Sequence, residues 1–309
     1  MQRHLKNLKD YLGTHTKEDA VLCFDLSMET INRYIRGIKG DERPQESKTN
    51  FPSVLILDIE TAPITAYVWG LWKQNVNPIQ IIDDWFIIGW SAKWLFADRM
   101  YTGYVTPNEV KKKDDRRIMK PLWHLMDTAD IIVAHNGKKF DESRINTRLF
   151  KHGFNPTSPY QVIDTLYYYR RQFSFSSNKL DYLNGQLDID QKVDTGGFQL
   201  WKDCLDGKQE ALDKMEEYNI NDVRILEENY LRIRPWIKNH PNVGVYMDND
   251  SITCTNCGST DLMEDGEYVT PVNRYTTYRC KSCGAIAGRS RKSSVNKEDR
   301  EYILRAQAR

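Results

Sequence analysis

Apolar positions in the first part of the chain fall at helical spacing. Leu5, Leu8 and Leu12 come first; Thr16 and Asp19 then have the form of a capping box ahead of "AVLCF". In "METINRYIRGI", Ile31, Tyr34, Ile35 and Ile38 share one face that ends at Lys39-Gly40, so three short helices are predicted over residues 1–42. The polar run "DERPQESKTN", with Pro44 and no apolar side chain, places a linker at residues 43–51. The period then changes. Val, Ile, Tyr, Trp and Phe crowd residues 53–60, 65–72, 86–94 and 99–105, which read as extended segments. "RRIMKPLWHLM" is helical in period, "DIIVAHN" reads as a buried strand, and "DESRINTRLFKHG" reads as a helix closed by glycine. "NKLDYLNGQL" and "KQEALDKMEEYNINDVRILEENYLRI" read as two more helices. Strands followed by helices interleaved with strands predict an α/β body with a mixed sheet flanked by helices, over residues 52–240. A second composition break, "NHPNVGVYMDNDS", precedes a cysteine-bearing end, so that the two parts are expected to fold separately.

Composition refines this only slightly. With 309 residues, 40% hydrophobic and 28% charged, the chain has room for one sizeable core and small appendages. A net charge of +1, from 44 basic and 43 acidic residues, neither demands nor excludes nucleic acid. "MQRHLKNLKDYLG" lacks the apolar core of a signal peptide, and no stretch approaches the roughly 18 apolar residues of a membrane span. A cytoplasmic protein without a membrane partner is expected. Six cysteines in such a chain read as metal ligands or free thiols; Cys23 and Cys204, standing alone, read as small buried residues.

"LILDIETAPI" sets Asp58 and Glu60 at the end of a strongly apolar run. Side chains at i and i+2 share one face of a strand, so both carboxylates point the same way and call for a cation there. "AHNGKKFD" ends another apolar strand with Asp141 where a helix begins, at a strand's carboxyl end. Tyr218 and Asp222 stand at i and i+4 on the long late helix, one turn apart on one face. Asp58, Glu60, Asp141 and Asp222 together can supply the oxygen-rich cage that Mg²⁺ or Mn²⁺ prefers. Two such ions about 4 Å apart clamp the attacking and leaving oxygens of a phosphodiester.

In that order the motifs resemble those of the DEDD 3′-to-5′ exonucleases, the DnaQ-like branch of the ribonuclease H fold, over residues 52 to about 238. "LDIET" is similar to the first exonuclease motif, notably as in proofreading domains of B-family DNA polymerases and stand-alone phage and bacterial relatives. "HNGKKFD" resembles the second, with Asn136, Phe140 and Asp141 in place; "YNIND" resembles the tyrosine form of the third, which marks the DEDDy subgroup. The resemblance implies that Asp58, Glu60 and Asp222 hold one Mg²⁺ or Mn²⁺, that Asp58 with Asp141 holds a second, and that Tyr218 orients the attacking water. It also implies that Thr61 approaches the terminal 3′ hydroxyl and that Asn136 and Phe140 contact substrate. Asp164 in "VIDTLYYYRR" reads as structural or as a support behind the site residues, and His124, His135 and His152 as packing or surface residues. The implied reaction is metal-dependent hydrolysis of DNA from its 3′ end, releasing nucleoside 5′-monophosphates. An RNA exonuclease like RNase D and a non-catalytic DNA-binding regulator that retains the fold stay open as alternatives. No polymerase domain follows, which leaves a polymerase or another replication or repair protein as a partner in trans.

"CTNCG" and "CKSCG" are two CxxC knuckles with 22 residues between Cys257 and Cys280. Cys254, Cys257, Cys280 and Cys283 suit one structural, tetrahedral Zn²⁺, and residues 250–290 resemble a zinc ribbon. "EYVTPVNRYTTYRC" and "RSRKSS" offer Arg274, Arg279, Arg289 and Arg291 to a phosphate backbone, with a hairpin covering its own metal site as the equal alternative. Residues 291–309 read as a charged helical tail. At the other end, "TKEDAVLCFDLSMETINRYIRGIK" resembles a helix-turn-helix module with Arg33 and Arg36 facing outward, although its turn lacks glycine and is one residue longer than usual. DNA binding and plain three-helix packing or dimerisation both remain open for it. The compact architecture suggests a phage source.

Overall fold

The structure is a computed structural model that describes residues 51–189 and 196–305. The predicted N-terminal helices, with Cys23, Arg33 and Arg36, lie outside the described residues.

A five-stranded sheet has the order β5-β4-β1-β6-β7. Its strands are β1 (Val54–Thr61), β4 (Ile87–Trp94), β5 (Met100–Tyr104), β6 (Ile131–Ala134) and β7 (Gln161–Asp164). β4 runs antiparallel to β1 and β5 antiparallel to β4, whereas β6 is parallel to β1 and β7 parallel to β6. β1 is therefore central, which accounts for its continuous apolar run. Alternation sends Leu55, Leu57 and Ile59 to one face, against α2 (Arg116–Asp127) and α3 (Asp141–Lys151). Val54 and Ile56 go to the other, against α4 (Thr165–Gln172), α5 (Leu180–Leu187) and α7 (Gln209–Ile233). Asp58 and Glu60 continue the even-numbered series that Val54 and Ile56 begin, so they emerge on the face that α7 covers. This mixed sheet flanked by helices is the expected fold class.

Two ionic contacts lock helices to sheet. Lys93 of β4 pairs with Glu227 of α7, whose other oxygen accepts the Phe96 N–H at 2.8 Å. Asp115, fully buried, accepts from Ile87 N at 2.8 Å and from Arg148 Nε and Nη2 at 2.6 and 2.7 Å, with His152 Nε2 at 2.5 Å from its other side. That cluster ties β4, α2 and α3 together.

The extended segment expected at 65–72 is short. β2 (Thr65–Ala66) pairs with β3 (Ile81–Asp83), the Tyr67 N–H still donates to Gln80 O at 2.9 Å, and the side chains of Tyr67, Trp69 and Trp72 project into solvent. Three helices escaped the periodicity: α1 (Pro107–Lys112), α4 and α6 (Gln199–Leu205). Cys204 is buried with its thiol against Ala211 O at 3.3 Å, as a lone core cysteine should be. His135 is a packing residue, held by Thr165 Oγ1 at 2.9 Å and Asn178 O at 3.0 Å.

The cysteine-bearing end forms a three-stranded sheet, order β10-β9-β8, from β8 (Leu262–Val269), β9 (Arg274–Cys280) and β10 (Ile286–Arg289). The composition break before it is packed in place. Val243 is buried with its N–H on Thr255 O at 2.8 Å, and Asn256 Nδ2 donates to Arg234 O at 2.9 Å just past α7. Its polarity reads as a linker because, apart from the buried Val243, these anchors are hydrogen bonds. The expected charged helix at the end is, up to residue 305, a 3₁₀ turn at Asp299–Tyr302 with no buried residue. So short a segment gains no stability as a helix without an apolar face to pack.

Candidate active site

The carboxylates of Asp58, Glu60 and Asp222 each bring an oxygen within 4.8 Å of the others. The strand supplies the first two at i and i+2 before a bulge between Glu60 and Thr61 shifts its register; α7, packed on that face, supplies the third. Hard oxygen donors at this separation suit a divalent cation. Tyr218 lies one turn before Asp222, its ring edge-on to Trp201 of α6 at 6.4 Å.

Asp141 stands beside this set. β6 ends its register with β1 at Ile56, and the Asp141 Oδ1 takes the Ile59 N–H that β6 no longer reaches, at 3.3 Å. Burial pushes its carboxyl up to about 7, opposed by its hydrogen bonds and, more weakly, by Arg144, with Asp164 adding to the rise. Arg144, one turn along α3, lies over the rings of Trp85 and Phe140 at 4.5 and 4.6 Å.

The loop before α3 explains "HNGKKFD". Asn136 has φ 70°, a left-handed conformation that asparagine tolerates, and its N–H donates to Asp164 Oδ1 at 3.0 Å. A Cβ at Gly137 would lie 2.5 Å from that of Ala134, so only glycine fits there. Asp164 also caps α4 through the Tyr167 N–H at 3.2 Å, the structural role expected of it. Thr61 closes β1, and Phe140 packs half-buried against the core as the residue before α3.

Sequence reasoning missed the group that holds Asp58. Asn219 is fully buried on α7; its Oδ1 accepts from Tyr104 Oη at 2.7 Å and its Nδ2 donates to Asp58 Oδ2. The Tyr104 hydroxyl is held well above its ordinary pKa by burial and by Glu60 and Asp58, so it remains a donor. Ser91 Oγ stands 3.4 Å from that hydroxyl. Tyr104 reaches inward because its cross-strand partner is Gly89; a Cβ there would come within 2.1 Å of the ring. The asparagine in "YNIND" was in plain view, but its partner lies on β5.

The four cysteines converge as well. Cys254 and Cys283 Sγ are 3.7 Å apart, Cys257 and Cys280 Sγ 3.6 Å, and all four fall within one 4.8 Å set. Gly258 and Gly284, each after a knuckle, have φ 75° and 78°, and the Asn256 N–H points at Cys254 Sγ at 3.4 Å. The neighbouring Cys254 thiol and burial push Cys257 up to about 12, and burial pushes Cys283 up to about 11. This donor set can bind a soft or borderline metal ion. Asp114, Asp115 and His152 form a further cluster, but the Arg148 guanidinium already fills it.

Of the four arginines expected on this end, Arg274 pairs with Glu267 at 3.4 Å and Arg279 with Asp265 at 2.6 Å. Arg289 instead lies over the rings of Tyr268 and Tyr275, at 4.9 and 4.1 Å, and Arg291 lines a groove beside it.

A family profile described as RNase_H superfamily matches residues 55–232, and the chain belongs to that family. Membership supports reading the carboxylate site as that of a nuclease, with nucleic acid as its partner. Among solved structures, the chain is similar to the family B DNA polymerase from the hyperthermophilic archaeon Pyrobaculum calidifontis, at 16% identity and a TM-score of 0.40. That match covers 59% of this chain and 25% of the polymerase, so the chain spans about a quarter of that protein's length. No curated protein sequence matches the chain. Among the described residues no helix is long and apolar enough to cross a membrane.

Proposed function

We propose that the chain is a metal-dependent 3′-to-5′ exonuclease of the tyrosine-type DEDD kind, which shortens DNA and releases nucleoside 5′-monophosphates. The observation that carries this reading is the convergence of Asp58, Glu60 and Asp222 on one face of the central strand, with Tyr218 a turn away on the same helix. Asp58, Glu60 and Asp222 would hold one Mg²⁺ or Mn²⁺ and Asp58 with Asp141 a second; bound there, the ions supply positive charge to the oxygens of the scissile phosphate. Asn219 fixes the rotamer of Asp58, and Tyr104 fixes the amide of Asn219. Tyr218, steadied by Trp201, orients the attacking water with its hydroxyl. Thr61, at the end of β1, meets the terminal 3′ hydroxyl, while Asn136 and Phe140 shape the turn that delivers Asp141. At the other end, Cys254, Cys257, Cys280 and Cys283 hold one Zn²⁺ in a closed, structural site of zinc-ribbon type.

The test uses purified full-length protein with Mn²⁺ and single strands of matched DNA and RNA sequence, each with a free or a phosphorylated 3′ end. The reading expects nucleoside 5′-monophosphates from DNA with a free 3′ hydroxyl, and slower release from the blocked strand. RNA digested faster than DNA would move the enzyme to the RNA class, and no mononucleotide from either would refute the reading.

A further inference from the structure

We propose that the groove between residues 242–255 and the end of β10 is a second nucleic-acid site, which grips the phosphates of the strand through Arg289, Arg291 and Lys292. The groove has a volume of about 980 Å³ and is open to solvent. Its lining brings three cations together against one carboxylate, Asp250, with amide and hydroxyl groups from Asn242, Asn249 and Ser290 among them. A polyanion with hydrogen-bond acceptors along its length complements such a surface.

The site is built into the fold. A register shift between Ile286 and Gly288 marks a bulge in β10, and Gly288, with φ 145°, lies where side chains are rarely tolerated. The next residue, Arg289, crosses the sheet onto Tyr268 and Tyr275, which are themselves cross-strand partners on β8 and β9. A guanidinium held over aromatic rings loses little further freedom when it meets a phosphate. The facing wall is fixed by Thr255 N–H to Ala287 O at 3.1 Å and Val243 N–H to Thr255 O at 2.8 Å. Tyr278, which packs against the cysteine cluster, also lines the groove. Arg274 and Arg279, on the same lobe, are instead paired with Glu267 and Asp265.

The proposal rests on the nuclease reading only in naming the ligand as nucleic acid, and its test is independent of hydrolysis. Fluorescence anisotropy of a labelled single strand of about 20 nucleotides is measured with full-length, zinc-loaded protein, without added Mg²⁺ or Mn²⁺, over a salt series. Wild type is compared with the triple variant Arg289→Ala, Arg291→Ala, Lys292→Ala, and with the control Arg274→Ala, Arg279→Ala; metal content and far-UV circular dichroism confirm that each is folded. The triple variant is expected to bind at least about tenfold more weakly, with a salt slope shallower by about 2, since each lost phosphate contact on a single strand contributes about 0.7. The control should stay within about twofold, and Arg289→Lys alone should retain most of the affinity. DNA and RNA strands should lose affinity alike, because phosphates are what is read. Equal binding by wild type and triple variant, an equal loss in the control, or no binding by wild type would overturn the proposal. A triple variant that loses binding in a protein that hydrolyses nothing would leave the groove standing and remove the exonuclease.

Discussion

Asn219 receives the Tyr104 hydroxyl on its Oδ1, so its Nδ2 protons can face only Asp58. The carboxylate is thereby aimed before any ion arrives, and groups that aim ligands in this way typically influence metal affinity by about 10–100-fold. Asn219→Ala is expected to raise the Mn²⁺ concentration needed for half-maximal hydrolysis by about that factor, read in a metal titration of rate. Tyr218→Phe should lower the rate by about 10–100-fold at saturating metal with that concentration unchanged, since it removes an orienting hydroxyl and no ligand. Asp141 offers a test of a different kind. Its folded pKa of about 7 lies above the ordinary 3.8, so the folded state binds this proton more tightly than the unfolded chain. The stability this confers is fully present below about pH 4 and is lost as the pH rises through about 7. Asp141→Asn keeps an acceptor for the Ile59 N–H and cannot ionise. Without divalent ions it should be more stable than wild type at pH 8, by on the order of 4 kcal/mol, with the gap closing toward pH 4. Urea unfolding at several pH values checks this, and a variant less stable than wild type at pH 8 would contradict it. The acids themselves were legible through the order of their motifs, which resembles that of the DEDD exonucleases, and the structure brings Asp58, Glu60 and Asp222 together. Asn219, Tyr104 and Trp201 were not, because what they do depends on partners far away in the sequence.

β4 and β5 show how two glycines arrange the elements behind the site. Gly89 faces Tyr104 and Gly103 faces Trp90, so each aromatic ring lies across the space a side chain would fill. The long strands and helices could be read from their periods, since each buries a continuous face. The short ones, α1, β7, α4 and α6, hold too few residues for a period to register, and caps such as Thr106 and Asp164 identify two of them only once the structure is known. The Asp115 cluster was equally silent. "KKKDDRR" looks like a solvated run of charge, yet its second aspartate is fully buried against Arg148. Asp115→Ala would leave that guanidinium buried without its partner, and chemical denaturation should show a loss of about 3–5 kcal/mol. Replacing both by apolar residues, Asp115→Leu with Arg148→Met, should cost markedly less, and equal losses would contradict this account of the pair.

The sheet body and the cysteine lobe meet at the end of α7, the helix that carries Tyr218 and Asp222. Cys280→Ser is expected to lose the bound Zn²⁺, of which wild type should hold about one per chain by metal analysis. If the lobe then frees Asn256, a buried hydrogen bond worth about 1 kcal/mol goes with it, lowering the melting temperature by about 2–4 °C. An unchanged melting temperature would mean that the two parts are independent, as their composition suggested. The organisation into a sheet body and a cysteine end was readable from composition shifts, whereas their attachment was not, because it consists of a few hydrogen bonds from a polar segment. The acids on β1 and α7 are expected to drive cleavage from the 3′ end, which is tested by following a 5′-labelled single strand with Mn²⁺ over time. Wild type should give a ladder that shortens stepwise from full length. Asp58→Ala and Asp222→Ala, folded by circular dichroism, should be slower by about 1,000-fold or more, the rate equivalent of several kcal/mol of lost charge stabilisation. Internal cuts in place of a ladder, or either variant digesting at the wild-type rate, would contradict the account.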